Sequence, residues 1–307
     1  MMSVKEQMQK NIETRFVDNP CRGIIVGRLQ SKDLVQLAWI MGRSDNSKNR
    51  VYVKQRGMLM TTAADPKKVE DPSLIIYTVM RQMTEVEGAQ PVHHIVSNGD
   101  QTDSIIEYFR DTGMLFFSAQ IFYDALSRRF CEPDPSTFTP RITGYQSLYS
   151  PDKVFMSVLA PEPAAKELWI AAEATSGLKI DDFRSPGKKE SEARKEYNDE
   201  IASRSGLDYT RFPTIRKFYE LPLQNGTGYC LTTYKEGNSK GLDAFVGDPF
   251  LVPIVGNSVE DVMNYFWEKL EPEWKVAMGG KQMNDTRMYI AEPINRFKRV
   301  TEGSAAR

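Results

Sequence analysis

The chain has 307 residues, 40% of them hydrophobic, with 40 Lys and Arg against 41 Asp and Glu and a formal net charge of −1. That length allows two domains or one large one, and either buries a core without metals or disulfides. The charge balance excludes a nucleic-acid binder held by bulk electrostatics, because neutralising a run of phosphates needs clustered, uncompensated cations.

In chain order, residues 1–16 are polar and charged and lack the apolar core of a signal peptide. Residues 23–27 and 34–41 are apolar runs joined by the turn-like Gln30-Ser31-Lys32-Asp33, which predicts a hairpin. Strand patterns follow at 50–54, 57–62 and 74–80, the last after the break at Asp71-Pro72. Ile95-Val96 runs into Ser97-Asn98-Gly99-Asp100, where Asp100 or Thr102 would cap a helix bearing Ile105, Ile106 and Phe109 at helical spacing. A second helical pattern covers 116–130, and Pro133, Pro135 and Pro140 make 132–140 a loop.

Strands recur at 142–148, 154–159, 218–223 and 229–234, and a last helix is expected at 259–270. Between them, 179–204 carries seven basic and seven acidic residues and no sustained apolar stripe, the pattern of a solvated surface excursion. The tail after Arg299 is expected to fray. Strands, then helices, then strands, then a helix is not the alternation of a doubly wound parallel sheet. The order predicts an α+β fold of mostly antiparallel sheets with helices packed outside. No apolar run reaches the ~18 residues of a membrane span. Cys21, Cys131 and Cys230 lie far apart with no CxxC pair, so a cytosolic, unanchored protein without disulfide or zinc framework is expected.

Three segments could carry chemistry. The stretch 42–50 joins two strand patterns and holds Arg43, Ser44, Asn49 and Arg50; it reads as a polar loop or as a cradle for phosphate or nucleobase, with Arg as the forked donor. Across 43–56, five cations, Arg43, Lys48, Arg50, Lys54 and Arg56, face Asp45 alone. The turn containing Ser97, Asn98, Gly99, Asp100, Thr102 and Asp103 reads as a plain N-cap or as an anion site built from outward backbone N–H groups. The loop with Glu132, Asp134, Thr139 and Arg141 is either a stiffened acidic surface loop or a rigid mount for a catalytic carboxylate. Tyr77 lies in an apolar run, where a tyrosine is ordinarily core. His93 and His94 would point to opposite faces of a strand and cannot share a metal. No GxSxG elbow, Walker loop or HExxH is present.

Taken together and in order, these segments resemble the archaeal-type IMP cyclohydrolase family and its bacterial members. The likeness runs through Asn19-Pro20 with Arg22-Gly23, then 39–50, Asp71-Pro72 with Tyr77, 96–103, the Thr-Pro-Arg-Ile at 139–142, and Gly228-Tyr229-Cys230-Leu231-Thr232-Thr233-Tyr234. Two departures stand out: relatives usually carry an aromatic where this chain has Cys21, and the charged segment looks like an insertion around 160–215.

The resemblance implies a four-layer αββα sandwich like that of the N-terminal-nucleophile hydrolases, as one domain over 1–307. It also implies closure of formamidoimidazole-carboxamide ribonucleotide (FAICAR) to inosine monophosphate (IMP), with a purine nucleotide as ligand and no metal or cofactor. Tyr77 and Glu132 would then serve the formyl oxygen and the carboxamide nitrogen, in roles left interchangeable. Arg50 and Arg43 would bind the carboxamide oxygen or the phosphate, with Ser44 and Asn49 beside them. Ser97, Asn98, Gly99, Asp100, Thr102 and Asp103 would cradle the polar end of the nucleotide, and Thr139 and Arg141 would add a further anion ligand. Two other readings stay open: an amide hydrolase using Cys21 after cleavage behind Pro20, and a purine-nucleotide binder without catalysis. Neither nucleic acid nor membrane is expected as a partner, and self-association is left open.

Overall fold

The computed structural model describes residues 2–16, 22–40, 49–55, 58–69, 76–84, 91–113, 117–135, 137–235, 244–270 and 288–290. Helix α1 (Val4–Asn11) opens the chain behind a capping box of Ser3 and Glu6. The expected hairpin follows as β1 (Arg22–Arg28) and β2 (Leu34–Trp39), turning through Lys32 at φ 77°.

Among the described residues the strands form two sheets. One is an antiparallel meander of β3 (Arg50–Gln55), β4 (Met58–Ala63), β5 (Thr78–Met83), β6 (His93–Ser97), β7 (Arg141–Ser147), β8 (Lys153–Pro161) and β9 (Thr214–Pro222), in that spatial order. The other runs β11 (Ala244–Val246), β10 (Thr227–Lys235), β1, β2, β13 (Met288–Ile290), with β12 (Phe250–Pro253) also paired to β10. Every pairing is antiparallel, as the connection order suggested.

Alternation along β1 builds the layers. Ile24 and Val26 face the second sheet and pack with Val96, Ile142 and Met156. Ile25 faces the other way, against Ile12, Phe16 and two residues of α6 (Val259–Lys269), Val262 and Phe266. On the far side of the meander, Ile95, Tyr145 and Phe155 meet α2 (Gln101–Asp111) and α3 (Ala119–Ser127) through Ile105, Ile106, Ile121 and Phe122. The order is therefore helix, sheet, sheet, helix. A Cβ on Gly144 would lie 2.4 Å from Val26, so glycine occupies a point where the two sheets approach closely. Gln146 and Gln36 also tie the sheets, donating to the Gly27 and His94 carbonyls at 2.9 and 3.1 Å.

The charged stretch 179–204 departs from its expected form. It lies in an excursion between β8 and β9 that contains α4 (Pro163–Thr175) and α5 (Glu190–Ser205). Here Ala193, Tyr197 and Ile201 do form a buried stripe, against Ala165, Trp169, Tyr209 and Phe212. Only one position in four is apolar, so the charges between them masked the stripe. Those charges pair along the helix, Lys195 with Asp199 at 2.6 Å and Arg204 with Glu200 at 2.8 Å. Among the described residues no helix is long and apolar enough to cross a membrane.

Candidate functional site

The antiparallel meander puts the first residues of β3, β5 and β7 at one end of the sandwich, together with the last residues of β4 and β6. Arg50 opens β3, Tyr77 immediately precedes β5, Arg141 opens β7 and Arg22 opens β1. The loop after α3 brings in Glu132 and Asp134.

Tyr77 sits just before β5, next to a register shift of β4 against β5 between Leu59 and Met60. Thr61 anchors it twice, its amide donating to the Tyr77 carbonyl at 3.0 Å and its hydroxyl accepting from the Tyr77 amide at 3.1 Å. The side chain is buried, and Arg50 Nη1 donates to its phenol oxygen at 3.3 Å. That leaves the phenol hydrogen to be aimed at another acceptor. Glu132 lies across from Arg22, Nη1 to Oε2 3.9 Å.

Three buried or half-buried guanidiniums thus converge. Burial holds Arg50 below its ordinary value; the phenol of Tyr77 and the carboxylate of Glu132 oppose that, while the like charge of Arg22 adds to it. Burial pushes Arg141 down to about 10, with Arg22 adding to the effect, so it remains a cation at neutral pH. Arg141 and Arg129 both bind the Asp100 carboxylate, Arg129 at 2.6 Å. Asp100 precedes α2 without making a side-chain cap bond, unlike the expected cap, because the two guanidiniums engage its oxygens. Arg141 Nε finds no partner among the described residues. A cluster of this sign suits an anion that brings its own acceptors.

Asp134 braces the loop, accepting from the Thr139 amide at 2.6 Å and the Thr139 hydroxyl at 2.5 Å. Burial first, and the like charge of Glu132 second, push its carboxyl up to about 7 against the Thr139 hydrogen bonds. The native state then holds the Asp134 proton more tightly than the unfolded chain does. Its contribution to stability is full below the unfolded carboxylate range and is lost as pH rises through about 7. Asp134→Asn should remove that slope: melting curves from about pH 5 to about pH 8 should show the variant gaining on wild type as pH rises. A difference independent of pH would place the carboxyl in an ordinary solvated setting.

The turn at 97–103 is brought to the same end, yet its polar atoms are largely engaged internally. Ser97 Oγ meets the Gly99 carbonyl at 2.7 Å and the Thr102 hydroxyl at 2.8 Å. Asn98 bridges the start of β7, donating to the Pro140 carbonyl at 3.2 Å and accepting from the Ile142 amide at 2.8 Å, so it fixes Arg141 between them. Asp103 accepts from the Thr78 amide at 3.2 Å and so steadies the residue after Tyr77. Asn49 pairs with the backbone of Asp65 on both sides of its amide, at 2.7 and 2.8 Å. Arg43, Ser44 and Cys21 lie outside the described residues.

Sequence reasoning passed over Arg22 and Arg129 as site residues. Arg22 stood beside Cys21 in a matched motif, but only the folded structure, which sets it opposite Glu132, reveals what it faces. His93 and His94 do point to opposite faces. His93 Nδ1 meets the Tyr145 hydroxyl at 3.1 Å, and burial pushes His94 down to about 3, keeping it neutral. Among the described residues no group of three or more His, Cys, Asp or Glu is placed to hold a metal ion.

A family model described as IMP cyclohydrolase-like protein matches residues 20–287. No curated protein matches the chain.

Proposed function

Since the chain belongs to the IMP cyclohydrolase-like family, we propose that it catalyses the cyclodehydration of FAICAR to IMP, the ring closure of purine biosynthesis, in the cytoplasm. The observation that carries this reading is the meeting, at one end of the sandwich, of a phenol bonded to Arg50 and a carboxylate that faces Arg22.

The reaction joins the carboxamide nitrogen to the formyl carbon of the same molecule. The reacting groups are already tethered, so the work left is to hold the reactive rotamer and to move protons. Glu132 accepts a proton from the carboxamide nitrogen as it attacks. Tyr77 donates its phenol hydrogen to the formyl oxygen, and Arg50 stabilises the phenolate left behind. The carbinol then leaves as water with the proton returned by Glu132, and the former formamide nitrogen gives its proton back to Tyr77. Both residues end as they began.

Arg141, with Arg129 and the turn before α2, is the proposed phosphate end. The substrate's dianion would compete with Asp100 for the two guanidiniums. Titration with IMP and with inosine tests this placement. IMP should bind at least about tenfold more tightly, and Arg141→Met should erase most of that difference. Equal affinities for the two would remove the anion site, and absence of IMP from incubations with FAICAR would remove the enzyme.

A further inference from the structure

The helical excursion at 162–213 reaches back to the loop that carries Glu132. We propose that it is a clamp on that loop, and that Phe212 is a positioning residue which sets the Glu132 carboxylate for the ring closure proposed above, on which the catalytic half of the claim rests.

Phe138 is the point of contact. It is a bulky residue at φ 46°, in the left-handed region, and is fully buried. Such a conformation persists only where the surroundings enforce it. The enforcing groups come from the excursion: the Phe212 ring stacks on Phe138 with centroids 3.7 Å apart and planes 15° apart, and Trp169 of α4 meets it edge-on at 5.7 Å.

The start of the loop is tied to β9 at the other end of the excursion. The Cys131 amide donates to the Thr214 hydroxyl at 3.1 Å, and Arg216 donates to the Arg129 carbonyl at 2.7 Å. Glu132 is thus held between two anchors. The loop closes on itself through the Glu132 amide to the Thr139 carbonyl at 3.2 Å, and the Thr137 and Phe138 amides to the Asp134 carbonyl at 2.9 Å. Among the described residues the cation that faces the Glu132 carboxylate is Arg22, at 3.9 Å, a distance too long to hold a carboxylate by itself. If the stack is removed, Phe138 is released toward negative φ and the carboxylate swings with it. The arginines, which stand on strands, stay where they are.

Phe212→Ala tests the clamp. Hydrogen exchange at the amides of Glu132, Thr137, Phe138 and Thr139 should accelerate at least about tenfold, while the amides of β6 and β7 keep their protection. With FAICAR, kcat should fall at least about tenfold and KM move less than about threefold. Introduced into Glu132→Gln, the same change should leave kcat within about twofold, because the carboxylate it positions is already gone. Unchanged exchange in the loop overturns the clamp, as does acceleration spread over the whole chain. Full multiplication of the two kinetic losses overturns the positioning of Glu132. If Phe212→Ala does not fold, Phe212→Leu keeps the filling and removes the stacked face, and is read by the same criteria. If the wild type fails to convert FAICAR, the proposed reaction falls, and the exchange comparison alone decides whether the excursion clamps the loop.

Discussion

Tyr77→Phe should lower kcat by about 100- to 1,000-fold while leaving KM within a few fold. The ring would still fill its place in the core between the sheets, beside Val79 and Leu59. What is lost is the Tyr77 phenol hydrogen at the reacting end and the acceptor that Arg50 reaches at 3.3 Å. A donor whose bond strengthens as charge gathers on the formyl oxygen acts in the transition state and hardly in the bound substrate, so the loss falls on kcat. Steady-state kinetics check it, with a melting curve as control, since deleting a hydrogen bond to a charged group typically costs about 1.5–3 kcal/mol of stability. A variant with full turnover would take Tyr77 out of the mechanism.

Glu132→Gln should be comparably severe, about 100- to 10,000-fold in kcat, because an amide cannot accept the carboxamide proton. Asp134 is the competing carboxylate, two residues away. Both of its oxygens are engaged by Thr139, so the proposed mechanism assigns it to the loop and Glu132 to the substrate. Asp134→Asn keeps the amide oxygen that the Thr139 N–H needs and should cost kcat far less than Glu132→Gln. The reverse ranking of the two variants would make Asp134 the base and Glu132 its support.

Much of the fold could be read from residue order alone. Alternation marked β1, β2, β7, β8 and β10 to within a few residues, because strands buried on one or both faces leave a strong apolar signature. The stripe of α5 was hidden because Ala193, Tyr197 and Ile201 are separated by charges that average the segment to polar. Tyr77 illustrates the limit in the site. Its apolar neighbours mark it as core, and it is core; its hydroxyl meets Arg50 only because the pairing of β3, β4 and β5 brings together two residues 27 apart in sequence. Arg22 and Arg129 carried no local signal, since a guanidinium acquires a role only from what faces it after folding. Motif order placed Glu132, Arg50 and Arg141 together more effectively than any local pattern did. The polar turn at 97–103, read from its composition as a cradle, also fixes Arg141 and the residue after Tyr77 through Asn98 and Asp103.

The most direct test of the central claim is product analysis after purified protein is incubated with FAICAR. Attack by the carboxamide nitrogen closes the ring and releases water, so IMP is the expected product, formed in proportion to enzyme and abolished in the double variant Tyr77→Phe, Glu132→Gln. Attack by water at the same formyl carbon would instead release formate and leave the free amine. Formate with the amine, or unchanged FAICAR, would contradict ring closure at this site.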